Sequence, residues 1–197
     1  KIMAEQAEYM SALIENLLSL SRIEMEQDQK PEGEADVVKL AEEVQQALSL
    51  KAEAREIGIK VKNDEDIPMI NADERQIKQI IQNLTDNAIK YGVSKSDVTI
   101  KISTAESIPP SKSYKVRSGP AVAIAINNKG PKITPENLAR LTERFYRMQE
   151  HKDLNIKGTG LGLSIAKQII LRHRGNLTVT SNSYNGTTFT IYLPQEI

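Results

Sequence analysis

Residues Lys157 to Lys167 read K-G-T-G-L-G-L-S-I-A-K, and this stretch limits the chain more than any other. Gly158, Gly160 and Gly162 alternate with Thr159 and Leu161, and an apolar helical pattern follows at once through Leu163, Ile165, Ala166, Ile169 and Ile170. Glycines ahead of a helix let bare backbone N–H groups approach an anion, and the helix dipole favours negative charge there. Such a loop serves as a phosphate cradle or as a flexible surface connection. The choice between the two depends on what the rest of the chain brings to it.

The third helical pattern, from Ala72 or Asp73 to Tyr91, carries Q-N-L-T-D-N-A-I-K-Y at Gln82 to Tyr91. Asn83, Asn87, Lys90 and Tyr91 stand at i, i+4, i+7 and i+8, one face of a helix. Ile80 or Ile81, Leu84 and Ala88 supply an apolar face. Asparagine oxygens can complete the shell of a Mg²⁺ that also holds phosphate, and a lysine adds a point charge. A plain solvent-facing stripe is the other reading. Downstream, Val122, Ile124 and Ile126 alternate in a strand, so Asn128 points to their side and Asn127 to the other. Asn128 is placed to hydrogen-bond a base, or simply to end the strand, since N-K-G-P is strong turn chemistry.

The remaining organisation is mixed. Ile2 to Glu26 is an amphipathic helix with a heptad seam of Met3, Ala7, Met10, Ile14, Leu17 and Ser21. Leu13, Leu18 and Leu20 widen its apolar face, so it is expected to pack on other helices as part of a hairpin or dimeric bundle. Gln27 to Ala35 reads as a linker, and Asp36 caps a helix running to Arg55. Strands are expected at Ile57–Val61, Met69–Ile70, Val98–Ile102, Ala121–Ile126, Leu177–Ser181 and Thr187–Leu193. Helices are expected at Pro135–Arg144 and from the glycine loop to His173, with surface loops at Glu106–Gly119 and Met148–Lys157. Helices and strands mix without strict βαβ alternation, which indicates an α+β fold with helices on one face of a mixed sheet.

The 26 basic and 26 acidic side chains cancel, so nothing favours nucleic acid as a partner. The chain has no cysteine, which excludes a disulfide framework and a Cys-based zinc site. No apolar run approaches the ~20 residues of a membrane span. The chain opens at Lys1 within a helical pattern, and it is expected to be a piece of a longer protein.

Taken in order, these motifs resemble the sensor histidine kinases of two-component systems, whose ATP-binding domain has the Bergerat (GHKL) fold, a two-layer α/β sandwich. Gln82–Tyr91 is similar to the family's N box, Asn128–Ile133 to its first glycine box, and Leu141–Arg147 (L-T-E-R-F-Y-R) to its F box. Gly158–Gly162 is similar to the second glycine box and Asn185–Phe189 (N-G-T-T-F) to the closing one. Leu17–Glu24 (L-L-S-L-S-R-I-E) resembles the second helix of the dimerisation and phosphotransfer hairpin. The wording is closest to the phosphate-regulon sensor kinases. The resemblance divides the chain into 1–30, hairpin helix and linker, and 31–197, the catalytic ATP-binding domain.

The resemblance implies ATP and Mg²⁺ as cofactors, with Asn83 as metal ligand and Asn87 on the phosphates or the metal. Lys90 would reach the phosphates, Tyr91 would lie along the nucleotide, and Asn128 would read the adenine amino group beside Gly130, Ile133 and Thr187. Gly158, Thr159, Gly160 and Gly162 would hold a lid against the phosphates, with Leu161 and Leu163 packing nearby. Arg144 to Arg147 would hinge that lid, and Arg147 would meet a phosphate.

This sequence departs from the family at Asn128 and Lys132, where the usual D-x-G-x-G has an acid and a second glycine. An amide still accepts, so adenine binding is expected to weaken by roughly 1 kcal/mol. Lys132 must turn outward to leave the pocket open. If it does not, the domain is a nucleotide-deficient scaffold of the same fold. ATP-hydrolysing relatives place a glutamate where Asn83 stands, and asparagine cannot serve as that general base. His151 and His173, the chain's two histidines, are not followed by an acid and are expected to be solvated. The phosphoacceptor histidine is therefore expected upstream, and this chain is not expected to phosphorylate itself. The resemblance further implies a homodimer through the hairpin helix, a response-regulator partner, and a cytoplasmic location with membrane attachment only through the missing N-terminal part.

Overall fold

Alternation sorts the strand residues onto two unlike faces, and the layers follow from that sorting. The structure, a computed structural model, describes residues 2–111, 116–149 and 158–196. Five strands pair in the order β2 (Gly58–Asn63), β4 (Asp97–Ala105), β5 (Ala121–Asn128), β7 (Gly186–Pro194), β6 (Asn176–Asn182). β2 and β4 run parallel and the other pairs antiparallel. Register aligns Ile100 with Ile126 and Ile126 with Phe189, and Ile102 with Ile124 and Ile124 with Ile191, so buried side chains form rows across the sheet. The opposite face carries Thr99, Lys101, Ser103, Thr188 and Thr190, none of them buried. A sheet apolar on one side only is covered on one side only.

Three helices supply the cover: α2 (Val37–Glu53), α3 (Glu74–Tyr91) and α5 (Gly162–Arg172). In α3 the buried residues Ile77, Ile80, Ile81, Leu84, Ala88 and Ile89 follow the helical period, and the helix packs between α2 and α5. Asp36 caps α2 by accepting from Val38 N and Lys39 N at 3.1 and 3.0 Å, and Asp73 caps α3 through Arg75 N and Gln76 N at 3.0 and 3.2 Å. The fold is the expected α+β two-layer sandwich.

Several expectations need correction. β1 (Glu34–Ala35) pairs with β3 (Ile70–Asn71) inside what reads as linker, because a two-residue ladder leaves no periodic signal. β4 and β5 outrun their expected bounds. The helix α4 (Pro135–Arg140), capped by Thr134, ends four residues early. There the chain turns so that Phe145, at φ 61°, donates its N–H to Gly160 O at 3.0 Å. His173 is not solvated but fully buried. Its Nδ1 meets Ile169 O at 2.8 Å, and Nε2 accepts from Asp73 N at 3.2 Å. His151 and the Met148–Lys157 loop beyond Gln149 lie outside the described residues, as do residues 112–115 of the Glu106–Gly119 loop.

The N-terminal helix α1 (Ile2–Met25) packs on α5, burying Leu20 and Ile23. Its heptad seam faces away from the domain, with Met10, Ile14 and Leu17 exposed. The helix therefore has two uses for apolar residues, one of them unfilled within this chain. Among the described residues no helix is long and apolar enough to cross a membrane.

Candidate functional site

The polar stripe of α3 lies half-buried beside the helix's apolar face, and it forms the floor of a cleft of about 1080 Å³. Asn83, Asn87, Lys90 and Tyr91 all line it. The end of β5 and its following loop contribute Asn128, Gly130 and Ile133, and β7 contributes Thr187. Arg147, Gly158, Thr159, Gly160, Gly162 and Leu163 close the other wall. Thus five separate segments bring the expected residues to one place. Leu161 is the exception: its side chain is fully buried in the core, so it seats the glycine loop and does not face the cleft.

Each motif is fixed to its neighbour by specific bonds. Asn83 donates from Nδ2 to Gly162 O at 3.3 Å, which holds the N box to the glycine loop and leaves the amide oxygen as an acceptor. Val93 N donates to Lys129 O at 2.9 Å, tying the end of α3 to the first glycine box. A Cβ on Gly130 would stand 3.0 Å from Tyr91 O, so glycine permits that approach. α5 begins at the loop with no side-chain cap, so its N-terminal N–H groups and dipole are left for an anion.

Asn128 is 5% exposed and donates from Nδ2 to Lys129 O at 3.2 Å, which turns its oxygen to the other side. Ile133 N donates to Ser181 Oγ at 2.9 Å, and Ser181 Oγ pairs with Thr187 Oγ1 at 2.9 Å, so a hydroxyl chain backs this end of the cleft. Lys132 is exposed and lines the cleft.

At the opposite end the field is positive. Burial holds Lys90 below the usual lysine range; Asp86 opposes that shift, while Arg147 and Lys51 add to it. Burial likewise raises Tyr91, with Arg147 opposing. Lys90 Nζ stands 5.4 Å from the Tyr91 ring centre. A cation already partly stripped of water, set against the glycine loop at Gly158, favours a polyanion.

Sequence reasoning missed Lys51 and Arg55 of the α2 end, as well as Asp86. Lys51 pairs with Asp86. Arg55 donates to the carbonyl oxygens of Ile89 (3.1 Å), Lys90 and Gly92 (3.4 Å), capping the turn that carries Lys90 and Tyr91. Their one sequence signal is the i, i+4 spacing of two bases at a helix end. Tyr9, Ala12 and Asn16 of α1 also reach the cleft, and Asn16 Nδ2 donates to Thr159 Oγ1 at 3.3 Å.

The donor set suits a magnesium nucleotide. Among the described residues no three His, Asp or Glu side chains converge, so there is no ready cage for a resident metal. Mg²⁺ commonly takes one or two protein oxygens and draws the rest from phosphate and water, and Asn83 can supply such an oxygen.

Gly158 seats Lys90, since a Cβ there would overlap Lys90 Nζ. The overlap falls on the tip of a flexible side chain, so Gly158→Ala is expected to leave stability within about 0.5 kcal/mol of wild type. It is expected to cut triphosphate affinity roughly tenfold, about 1.4 kcal/mol, by displacing the ammonium. Thermal unfolding and nucleotide titration of the variant check both parts.

Residues 72–197 match the family described as histidine kinase-, DNA gyrase B-, and HSP90-like ATPase. Sensor histidine kinase YkoH of Bacillus subtilis is 32% identical over 193 residues, 97% of this chain and 38% of that protein. Sensor histidine kinase CusS of Escherichia coli strain K12 is 28% identical over 191 residues, 96% of this chain and 36% of that protein. The solved histidine kinase AdeS of Acinetobacter baumannii matches with TM-score 0.71 at 25% identity, over 99% of this chain and 83% of that one. The chain spans little more than a third of the two curated relatives. None of the three carries a phosphate-regulon name, so the assignment stops at sensor histidine kinases. With its one-sided sheet, glycine loops and N box in a single cleft, the chain belongs to the histidine kinase-, DNA gyrase B- and HSP90-like ATPase family, as a catalytic domain of the sensor histidine kinase type.

Proposed function

We propose that the cleft binds Mg-ATP and presents its γ-phosphate to a histidine on the hairpin helix preceding α1, from which the phosphoryl group passes to an aspartate of a response regulator. In this reading residues 1–30 are hairpin helix and linker, and 31–197 form the catalytic domain. The observation that carries it is the convergence of the N box, both glycine boxes and Thr187 on one cleft whose phosphate end is positive.

The roles divide along the cleft. Asn128, backed by Thr187 and with Gly130 and Ile133 beside it, accepts from the adenine amino group. Tyr91 lies along the nucleotide. Lys90, Arg147 and the N–H groups of Gly158 to Leu163 hold the phosphates, and Asn83 and Asn87 hold Mg²⁺ and its phosphate oxygens. Bound Mg-ATP supplies the transferable phosphoryl group and an electrophilic phosphorus. The chain's own residues orient that group and neutralise its charge, which is most of what phosphoryl transfer asks of a protein. Asn83 cannot deprotonate water, which supports holding ATP over hydrolysing it.

The exposed seam of α1 supports assembly as a homodimer through the hairpin, and the regulator is assigned to the same element. Balanced charge supports a role without nucleic acid. We place the domain in the cytoplasm, with membrane attachment only through upstream sequence. A longer form containing the preceding helix, incubated with γ-labelled ATP, is expected to gain acid-labile, alkali-stable label on histidine, while this chain alone gains none. Phosphate release without labelling would overturn the reading in favour of an ATPase.

A further inference from the structure

The joint between α1 and the rest of the molecule is polar and partly buried. Its centre is Arg172, the last residue of α5, whose side chain is 7% exposed. Nε donates to Glu26 O at 3.1 Å, and Nη2 stands 3.8 Å from Glu26 Oε2. Nη1 stands 3.6 Å from Asp73 Oδ2, the other oxygen of the carboxylate that caps α3. Gln76, in the first turn of α3, also donates to Glu26 Oε2, at 3.5 Å. One guanidinium therefore touches the end of α1, the start of α3 and the end of α5. α3 carries the N box, and α5 begins at the glycine loop.

A buried guanidinium is an odd choice for cohesion alone. Desolvating it costs several kcal/mol, and an apolar side chain of similar volume often stabilises as well or better. Buried ion pairs are best attested where they fix register between elements or mark a point of exchange. The rest of the α1 contact has the same character. Gln79 donates to Ser19 Oγ at 3.0 Å, Arg144 pairs with Glu24, and Asn16 meets Thr159, while among the described residues of α1 only Leu20 and Ile23 are buried. A seam of polar bonds around two apolar side chains can come apart and re-form, unlike a continuous apolar core.

We propose that Arg172 is a positioning residue for the transfer: it holds the last turn of α1 in register with both helices that carry the nucleotide site, and its disengagement lets α1 move as a rigid helix. This rests on the preceding reading for what α1 brings to the cleft. The Arg172 cluster, with Glu26, Asp73 and Gln76, includes no residue that lines the nucleotide cleft.

The chain has no cysteine, so spin labels can be placed at Ser11→Cys on α1 and Thr180→Cys on β6, both exposed, without background. Pulsed dipolar spectroscopy should give one narrow distance for the otherwise wild-type chain. Arg172→Met, matched in volume, is expected to broaden or split that distribution while leaving the dissociation constant for Mg-ADP within about threefold. Glu26→Lys, which sets a second cation against Arg172 from outside the catalytic domain, is expected to do the same and serves if the methionine variant does not fold. Distributions indistinguishable from wild type would overturn the proposal. So would broadening accompanied by loss of Mg-ADP binding, which would mean general loss of structure. Failure of the otherwise wild-type chain to bind Mg-ADP would refute the functional reading instead, and the distances would still decide whether α1 is held through Arg172.

Discussion

Replacing Gly186 by alanine is expected to destabilise the chain by about 3 kcal/mol and to weaken nucleotide binding at the same time. Gly186 follows the three-residue loop Ser183–Asn185 between β6 and β7, at φ 76°, where glycine alone is free of strain. Asn182 Oδ1 fixes that loop by accepting from Tyr184 N and Asn185 N at 3.0 and 2.7 Å. A side chain at 186 would overlap the carbonyl oxygen of Asn128 and stand 2.9 Å from Lys129 Cα. Both obstacles are backbone, so neither can rotate away. The strand end must shift, and Asn128 with it. For a chain of this size 3 kcal/mol corresponds to a fall in Tm of roughly 10 °C. Gly119→Ala is the control, since Gly119 has φ 120° but nothing within 4 Å of an added Cβ. It should show only the conformational cost. Equal effects at the two positions would mean that contact with the Asn128 backbone is unimportant.

Acid should destabilise the protein through His173. Burial pushes its pKa from 6.5 down to about 4, with Arg172 acting in the same direction and Ile169 O and Asp73 opposing. Between those values the unfolded chain binds a proton that the folded chain refuses. Stability therefore falls as the pH drops from 6.5 to 4, and the full loss, present below about pH 4, is about 3 kcal/mol at about 1.4 kcal/mol per pKa unit. The local reason is geometric: Nε2 already accepts from Asp73 N, and a proton there would set donor against donor. His173→Gln should flatten the Tm profile between pH 6.5 and 5, where carboxylates contribute little. Parallel profiles for the variant and wild type would contradict a neutral, buried imidazole.

The parts of the site that sequence reveals are those whose spacing alone determines a face. Asn83, Asn87, Lys90 and Tyr91 share a stripe because a helix has 3.6 residues per turn, and Asn128 turns inward because it keeps the parity of Val122, Ile124 and Ile126. The glycine loop ahead of α5 is legible for the same local reason. What tertiary packing decides is not legible. His173, flanked by arginines in L-R-H-R-G, looks solvated until α3 is laid across it. Leu161 sits among glycines yet belongs to the core. Lys51 and Arg55 join the cleft only because α2 packs beside α3. The heptad seam of α1 identifies one apolar face, but nothing in its period announces that Leu20 and Ile23 serve a second.

The central claim is that this cleft holds a magnesium nucleotide with Asn128, an amide and not the acid that the family resemblance leads one to expect, at its adenine end. Calorimetric titration of the chain with ADP and Mg²⁺, repeated with EDTA and with Asn83→Ala, tests it most directly. Micromolar binding that weakens roughly tenfold or more in the variant and with EDTA is expected. No binding up to millimolar nucleotide would contradict the claim and leave the domain a scaffold.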